Sequence, residues 1–282
     1  RPHTSGRMVE AVVIENDFLD ETAEAVLPET PDEILHAIRE AGIVGMGGAA
    51  FPGNVKALSA MGNVDTLIAN ACECEPYITS DSYTMNYRRD DMVFALETLK
   101  KFMGVKSIII GIESNKKKAI ASMMKLMVDT MEGCTVEVKV LPSVYPQGGE
   151  KQLIDAVIGR QVPNPPAIPI AVGAVVQNVG TAYAVYEAVI KNKPLFERVV
   201  TVTGKALANP SNFLTRMGTP MSQLIDAAGG MPEDTGKIIG GGPMMGKALL
   251  NAEVPICKGS SGVLLMTEKE SVRGEEQNCL RC

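Results

Sequence analysis

The chain has 282 residues, enough for two domains, and its 45% hydrophobic and 21% charged content is that of an ordinary globular protein. Its formal net charge of −6 comes from interspersed acids and bases, and no basic block exists to track a phosphate backbone, so nucleic acid is excluded as a partner class. No run approaches the ~20 apolar residues that cross a bilayer, and the basic start Arg1 to Arg7 has no apolar core behind it, so neither a direct membrane span nor a signal peptide is expected.

Met8 to Glu15 alternates apolar and polar in places and reads as a strand. Pro31 to Ile38 is a helix start, with Thr30 as N-cap, Pro31 at the first helical position and acids in the first turn. Gly42 ends that helix and opens the run Gly42-Ile43-Val44-Gly45-Met46-Gly47-Gly48-Ala49-Ala50-Phe51-Pro52. Asp65 to Asn70 is a short strand, Asp90 to Phe102 a helix, Ser107 to Ile112 a buried strand, Lys116 to Met131 a helix and Val136 to Leu141 a strand. Such alternation implies crossover connections and a parallel sheet, which binds ligands at its strand C-termini. Past the proline-rich break Pro163 to Pro169, Val172 to Val179 is a strand and Thr181 to Ile190 a helix. The texture changes near residue 195. Val199 to Gly204 as strand, Pro220 to Ala228 as helix and Lys237 to Gly240 as strand make a small second module.

Five segments carry candidate chemistry. The glycine run is either a tight helix-to-helix turn or an anion cradle, in which backbone N–H groups and a following helix dipole meet a phosphate and Lys56 adds charge. It is neither the Rossmann fingerprint nor a Walker sequence. In Asn70-Ala71-Cys72-Glu73-Cys74-Glu75-Pro76-Tyr77, an amide and two acids at a strand end can hold a polar ring edge; the one-residue cysteine spacing suits zinc poorly. Tyr145-Pro146-Gln147-Gly148-Gly149-Glu150 and Gln177-Asn178-Val179-Gly180-Thr181 each lead into a helix, as caps or as cofactor contacts, whereas Gly240 to Pro243 reads as a structural turn. The six cysteines, as two close pairs and two singles, suit a reducing compartment rather than a disulfide framework. Cys279-Leu280-Arg281-Cys282 leaves a redox dithiol, a zinc half-site and an iron–sulfur half-site open. A chain without an initiator Met that stops at this motif reads as an excised fragment. The two histidines, His3 and His36, sit in a tail and on a helix, and no Ser-His-Asp arrangement is readable.

Taken together, Gly45 to Pro52, Asn70 to Tyr77, Tyr145 to Ile154 and Val176 to Thr181 resemble the RnfC-like family, the C subunits of Rnf electron-transport complexes. They are similar, more distantly, to the flavin-bearing NADH-binding subunit of respiratory complex I. The resemblance implies an α/β fold: a parallel-sheet, modified nucleotide-binding domain over 29–195, followed by a small β-grasp (SLBB-type) module over 196–250. Residues 1–28 would be a barrel-sandwich remnant and linker, and 251–282 a linker to a truncated iron–sulfur domain. By the same resemblance Gly45, Gly47, Gly48 and Lys56 hold FMN, with Asn70, Glu73 and Glu75 at its polar edge and Phe51 a hydrophobic neighbour. Tyr145, Gly148, Gly149 and Glu150 lie where NADH enters, and Asn178 and Thr181 close the pocket. Cys279 and Cys282 match the first two ligands of a 4Fe-4S motif, so the full-length protein would carry such clusters.

The implied function is an NADH-oxidising, flavin-dependent electron-transfer subunit, inactive as this fragment alone. Its partners are NADH and other subunits of a membrane complex on the cytoplasmic face of a bacterial cell membrane, to which it attaches peripherally. Three departures from the family pattern stand out: Gly53-Asn54 follows Phe51-Pro52 where Thr is common, Cys72 replaces an acid of the complex I relatives, and Asn164-Pro165-Pro166-Ala167 replaces a glycine-rich stretch. They leave room for a related carrier of proline reductase or cobalamin reductase systems. The alternatives of another class are a binding module with a vestigial flavin site and a zinc or dithiol protein centred on Cys279 and Cys282.

Overall fold

A computed structural model describes residues 1–3, 6–19, 21, 27–129, 136–272, 274–275 and 277–278, with the backbone alone over 126–129. Helix α1 (Pro31–Glu40) starts where the sequence signals it, because Thr30 and Glu33 cap each other reciprocally: the Glu33 N–H donates to Thr30 Oγ1 at 3.3 Å and the Thr30 N–H to Glu33 Oε2 at 3.1 Å. The glycine run then leads into α2 (Gly53–Ala60). After it come β1 (Thr66–Ala71), α3 (Ser80–Tyr87), α4 (Arg89–Met103), β2 (Ser107–Glu113), α5 (Lys117–Asp129), β3 (Val136–Leu141), α6 (Glu150–Ile158), β4 (Ala174–Asn178) and α7 (Val179–Lys191).

The four strands form one parallel sheet in the order β3-β2-β1-β4, with Thr66 opposite both Ser107 and Ala174. Alternate residues face opposite sides. Leu67, Ala69, Ile108 and Ile110 join the core made with α4 and α7, through Leu96, Leu99, Val179 and Val185. Ile68, Ile109 and Val176 pack on the other side against Leu153, Ile154 and Val157 of α6. Both faces are covered, as parallel sheets require, and the expected crossover architecture is observed.

The second module contains β5 (Glu197–Thr203), β6 (Ser211–Arg216), α8 (Met221–Ala227), β7 (Thr235–Gly240), β8 (Lys247–Leu249) and β9 (Gly262–Thr267). Its sheet order is β6-β5-β9-β7-β8, with only the β5–β9 pair parallel, and α8 packs Met221, Leu224 and Ile225 on Val200, Val202 and Val263.

Two expectations are corrected. The stretch from 251, read as a linker, supplies β9, the central strand of the second sheet; Gly262-Val263-Leu264-Leu265 is its most buried run, and without it β5 and β7 would have no common neighbour. Met8 to Glu15 forms no strand. An isolated bridge joins Pro2 to Met8, and Val12, Val13 and Ile14 stand exposed, because among the described residues no strand lies beside them to take up their backbone groups.

Candidate functional site

The C-terminal ends of β1 and β4 deliver Asn70 and Asn178 to one edge of the parallel sheet, and each amide is spent on holding a loop. Asn70 Nδ2 donates to the Gly148 carbonyl at 2.9 Å, while its Oδ1 accepts the Cys72 N–H at 3.1 Å. Asn178 Oδ1 caps α7, accepting from Gly180 at 2.9 Å and Thr181 at 3.2 Å, and its Nδ2 donates to Asp81 Oδ2 at 2.7 Å. The buried Thr181 Oγ1 accepts the Met46 N–H at 2.8 Å, which ties the glycine run to the start of α7. Within the run, the Gly45 N–H donates to the Phe51 carbonyl at 2.8 Å and the Gly45 carbonyl accepts from Ala50 at 3.1 Å, closing a compact loop. Among the described residues, the N–H groups of Gly47, Gly48 and Ala49 have no acceptor.

These loops wall a cleft of ≈ 590 Å³ lined by Gly47, Gly48, Cys74, Glu75, Tyr145, Gly148 and Gly149 from the first module. The second module supplies the facing wall, from Gly240 to Gly242 and from Gly259 to Ser261. Glu75 bridges the two, accepting the N–H groups of Met244 at 3.1 Å and Met245 at 2.5 Å. A smaller cavity of ≈ 260 Å³ lies between α3, α7 and β5, where Lys193 is already paired with Glu187 and Glu197.

Six of the residues singled out from sequence therefore share the cleft: Gly47, Gly48, Glu75, Tyr145, Gly148 and Gly149. Gly45, Asn70, Asn178 and Thr181 stand behind it as supports. Glu73 is buried away from it, accepting the N–H groups of Asp81 at 2.7 Å and Ser82 at 3.1 Å at the start of α3 and an ion pair from Lys116 at 2.8 Å. Lys56 and Glu150 do not line the cleft; they pair with each other at 2.6 Å. Phe51 is 52% exposed and outside the lining. Cys279 and Cys282 lie outside the described residues. The glycines 240 to 242, read as a plain turn, line the cleft, and the small-residue run Gly259-Ser260-Ser261-Gly262 was a second glycine signal of the same kind.

Burial dominates the local electrostatics. It pushes the Cys72 thiol up to about 12, with Glu113 and Cys74 adding to the effect, and it raises Cys74 and Cys257 as well. Glu113, 2% exposed at the end of β2, is raised by burial, and its Oε2 has no partner among the described residues. Because the thiolate is the reactive form, Cys72 is expected to resist alkylation by iodoacetamide at about pH 8 in the native chain. Peptide mass spectrometry checks this, and native labelling of Cys72 at the rate seen after denaturation would contradict its placement.

Residues 38–187 match the Nuo51 FMN-binding domain and residues 199–248 the SLBB domain. The whole chain is 45% identical over 288 residues to the C subunit of the proton-translocating ferredoxin:NAD(+) oxidoreductase complex of Clostridium ljungdahlii. It is 40% identical over 289 residues to the C subunit of the Na(+)-translocating ferredoxin:NAD(+) oxidoreductase complex of Acetobacterium woodii. All of this chain is covered in both, but it spans only 62% and 64% of those two curated relatives. Among solved structures, the NAD+-reducing [NiFe]-hydrogenase in its H2-reduced state has a chain that superposes with a TM-score of 0.72. That match covers 85% of this chain and 47% of the other at 22% identity, which shows a shared fold. One wall of the cleft, at the sheet's C-terminal edge, thus comes from the matched flavin domain, and the chain belongs to the Nuo51 FMN-binding-domain family, with an SLBB domain following and the C subunits of ion-translocating oxidoreductase complexes as its longer relatives.

Proposed function

We propose that this chain is the FMN-bearing part of an electron-transfer subunit that oxidises NADH for a membrane-associated ion-translocating complex. The observation that carries the reading is the cleft itself: it is lined by Gly47 and Gly48, whose N–H groups have no acceptor among the described residues, on a glycine loop at the C-terminal edge of a parallel sheet, inside the segment that matches an FMN-binding domain. Its volume falls in the range of about 300–1,000 Å³ usual for cofactor sites. Gly47 and Gly48 carry no side chain to fill the cradle, so the donor set suits a phosphate.

Bound there, FMN would supply the conversion between hydride transfer and single-electron steps. The chain's own residues would do the rest. Gly47, Gly48 and Ala49 offer N–H groups to the phosphate, while Asn70 and Gly148 keep the facing loop in register. Glu75, Tyr145 and Gly149 line the side from which a nicotinamide approaches. Cys279 and Cys282 would be two ligands of a 4Fe-4S cluster beyond the flavin. No described helix is long and apolar enough to cross a membrane. The chain would attach peripherally, through other subunits of the complex, on the cytoplasmic face.

An anaerobic titration tests the reading. The chain is expected to take up FMN with quenching of flavin fluorescence, and NADH is expected to bleach the bound flavin. A chain that takes up no FMN is a binding module with a vestigial site, and the proposal fails.

A further inference from the structure

We propose that Arg198, a residue of the second module, is the positioning residue that orients and charges the glycine cradle of the first. This rests on the flavin reading above and extends it to a residue outside the matched flavin domain. The cradle needs a cation for a phosphate, and the nearest one in sequence, Lys56, is engaged by Glu150 at 2.6 Å. Arg198 lies on β5, only 4% exposed, with its guanidinium beneath the loop. Its Nη1 and Nη2 donate to the Met46 carbonyl at 3.5 and 3.4 Å, its Nη1 also to the Lys258 carbonyl, and its Nε to Val199 at 3.3 Å.

The Met46 carbonyl belongs to the same peptide unit as the Gly47 N–H. That unit is planar and trans, so a guanidinium on its oxygen leaves the N–H directed to the opposite side. A donor on the carbonyl also polarises the peptide and strengthens the N–H as a donor in turn. The preceding peptide is fixed independently by the Met46 N–H bond to Thr181. Met46 is therefore held through both of its backbone groups, and Gly47 inherits that orientation.

Two further contacts tie this arrangement to the second module. Lys258 Nζ donates to the Gly42 carbonyl at 2.6 Å, at the start of the run. Gly259 packs so closely that a Cβ there would lie 3.3 Å from the Gly48 carbonyl oxygen. Asp81, held by Asn178, faces Arg198 as its counter-charge and offsets part of the cost of burying it. Arg198 and Lys258, the two cations named behind the cradle, thus both come from the second module and favour an anion in front of it.

The test compares FMN with riboflavin, which lacks only the phosphate, by fluorescence quenching on the intact chain. Arg198→Gln is expected to weaken FMN by roughly 10- to 100-fold, the span of one charge-assisted hydrogen bond, and riboflavin by less than about threefold. Arg198→Lys is expected to recover part of the FMN loss. Equal weakening of both flavins would reduce Arg198 to a merely structural role and overturn the proposal, as would unchanged FMN binding. If Arg198→Gln does not fold, Arg198→Lys carries the comparison: FMN weakened more than riboflavin supports the proposal, and equal weakening of both, or of neither, overturns it. A wild-type chain that binds neither flavin removes the flavin reading first and this proposal with it.

Discussion

Replacing Lys116 by Met is expected to destabilise the fold by up to about 3–5 kcal/mol well above pH 7, where it leaves a buried carboxylate without its counter-ion. Lys116 Nζ lies 2.8 Å from Glu73 Oε2, and the two side chains are 13% and 3% exposed, so solvent cannot screen the loss. Glu73 in turn accepts the first N–H groups of α3, and a disturbance there reaches Asp81 and, through it, Asn178 and Arg198. Burial first, and then the neighbouring Asp81, push Glu73 from 4.5 up to about 7, against the pull of Lys116. A carboxyl raised in the folded state binds more protons there than in the unfolded chain, so its contribution to stability falls as pH rises from 4.5 towards 7. Removing Lys116 raises the folded value further. The Lys116→Met deficit is therefore expected to be smaller below about pH 4.5, where Glu73 is neutral in both states, and larger above about pH 7. Urea denaturation at both ends of that range measures it. A deficit no larger at about pH 9 than at about pH 4.5 would contradict the burial of this ion pair. The double variant Glu73→Gln with Lys116→Met should regain part of the loss, since no charge is then left unpaired.

Much of this architecture was legible in sequence where local chemistry and tertiary packing agree. The Thr30-Pro31 start, the β-branched run Ser107 to Ile112 and the alternation of helices and strands all follow from capping and burial, and they fix the parallel sheet. The strand at Met8 to Glu15 was not realised because alternation licenses a strand without providing its neighbour. β9 is the converse case: Gly262 to Thr267 follows the turn signal Gly259-Ser260-Ser261, but its place as the central strand rests on insertion between β5 and β7, a pairing of long sequence separation. In the cleft, the glycines were readable, since a glycine loop can be recognised from residue type alone. What was not readable is which polar side chains face the cleft. Asn70, Glu73, Asn178 and Thr181 carry the polarity a ligand contact would need, yet each is satisfied within the chain. Lys56 sits a few residues from the run, but Glu150, far away in sequence, takes its charge. Arg198 is the reverse case. In Glu197-Arg198-Val199-Val200-Thr201-Val202 the alternation puts it on the face of the buried Val200 and Val202, where a charged side chain is unexpected, and only the fold supplies the Met46 and Lys258 carbonyls that take its guanidinium.

Gly148→Ala is expected to cost about 1–3 kcal/mol of stability, the range for overpacking a filled site, and to abolish flavin uptake. A Cβ at that position would stand 2.3 Å from the Cys72 carbonyl oxygen and 3.1 Å from Cys74 Sγ. The nearer atom is backbone at the end of β1, so it cannot swing aside as a side chain would. Nor can the 145–149 loop retreat freely. Its Gly148 carbonyl takes the Asn70 amide, and its Gly148 N–H reaches Cys74 Sγ, so moving the loop by the required ångström breaks contacts on both sides of the new methyl group. The two walls of the cleft on either side of Cys74 would then separate, and the ring-binding side would lose its shape while the glycine cradle opposite stayed intact. Gly47→Ala is the steric control. Its Cβ would meet only Asn178, at the ordinary distance of 3.8 Å, so the fold should keep its stability to within about 0.5 kcal/mol. Thermal melts of the two variants separate the cases: equal destabilisation by both would show that Gly148 is no tighter than Gly47, and the account of the cleft's rigid wall would have to be withdrawn.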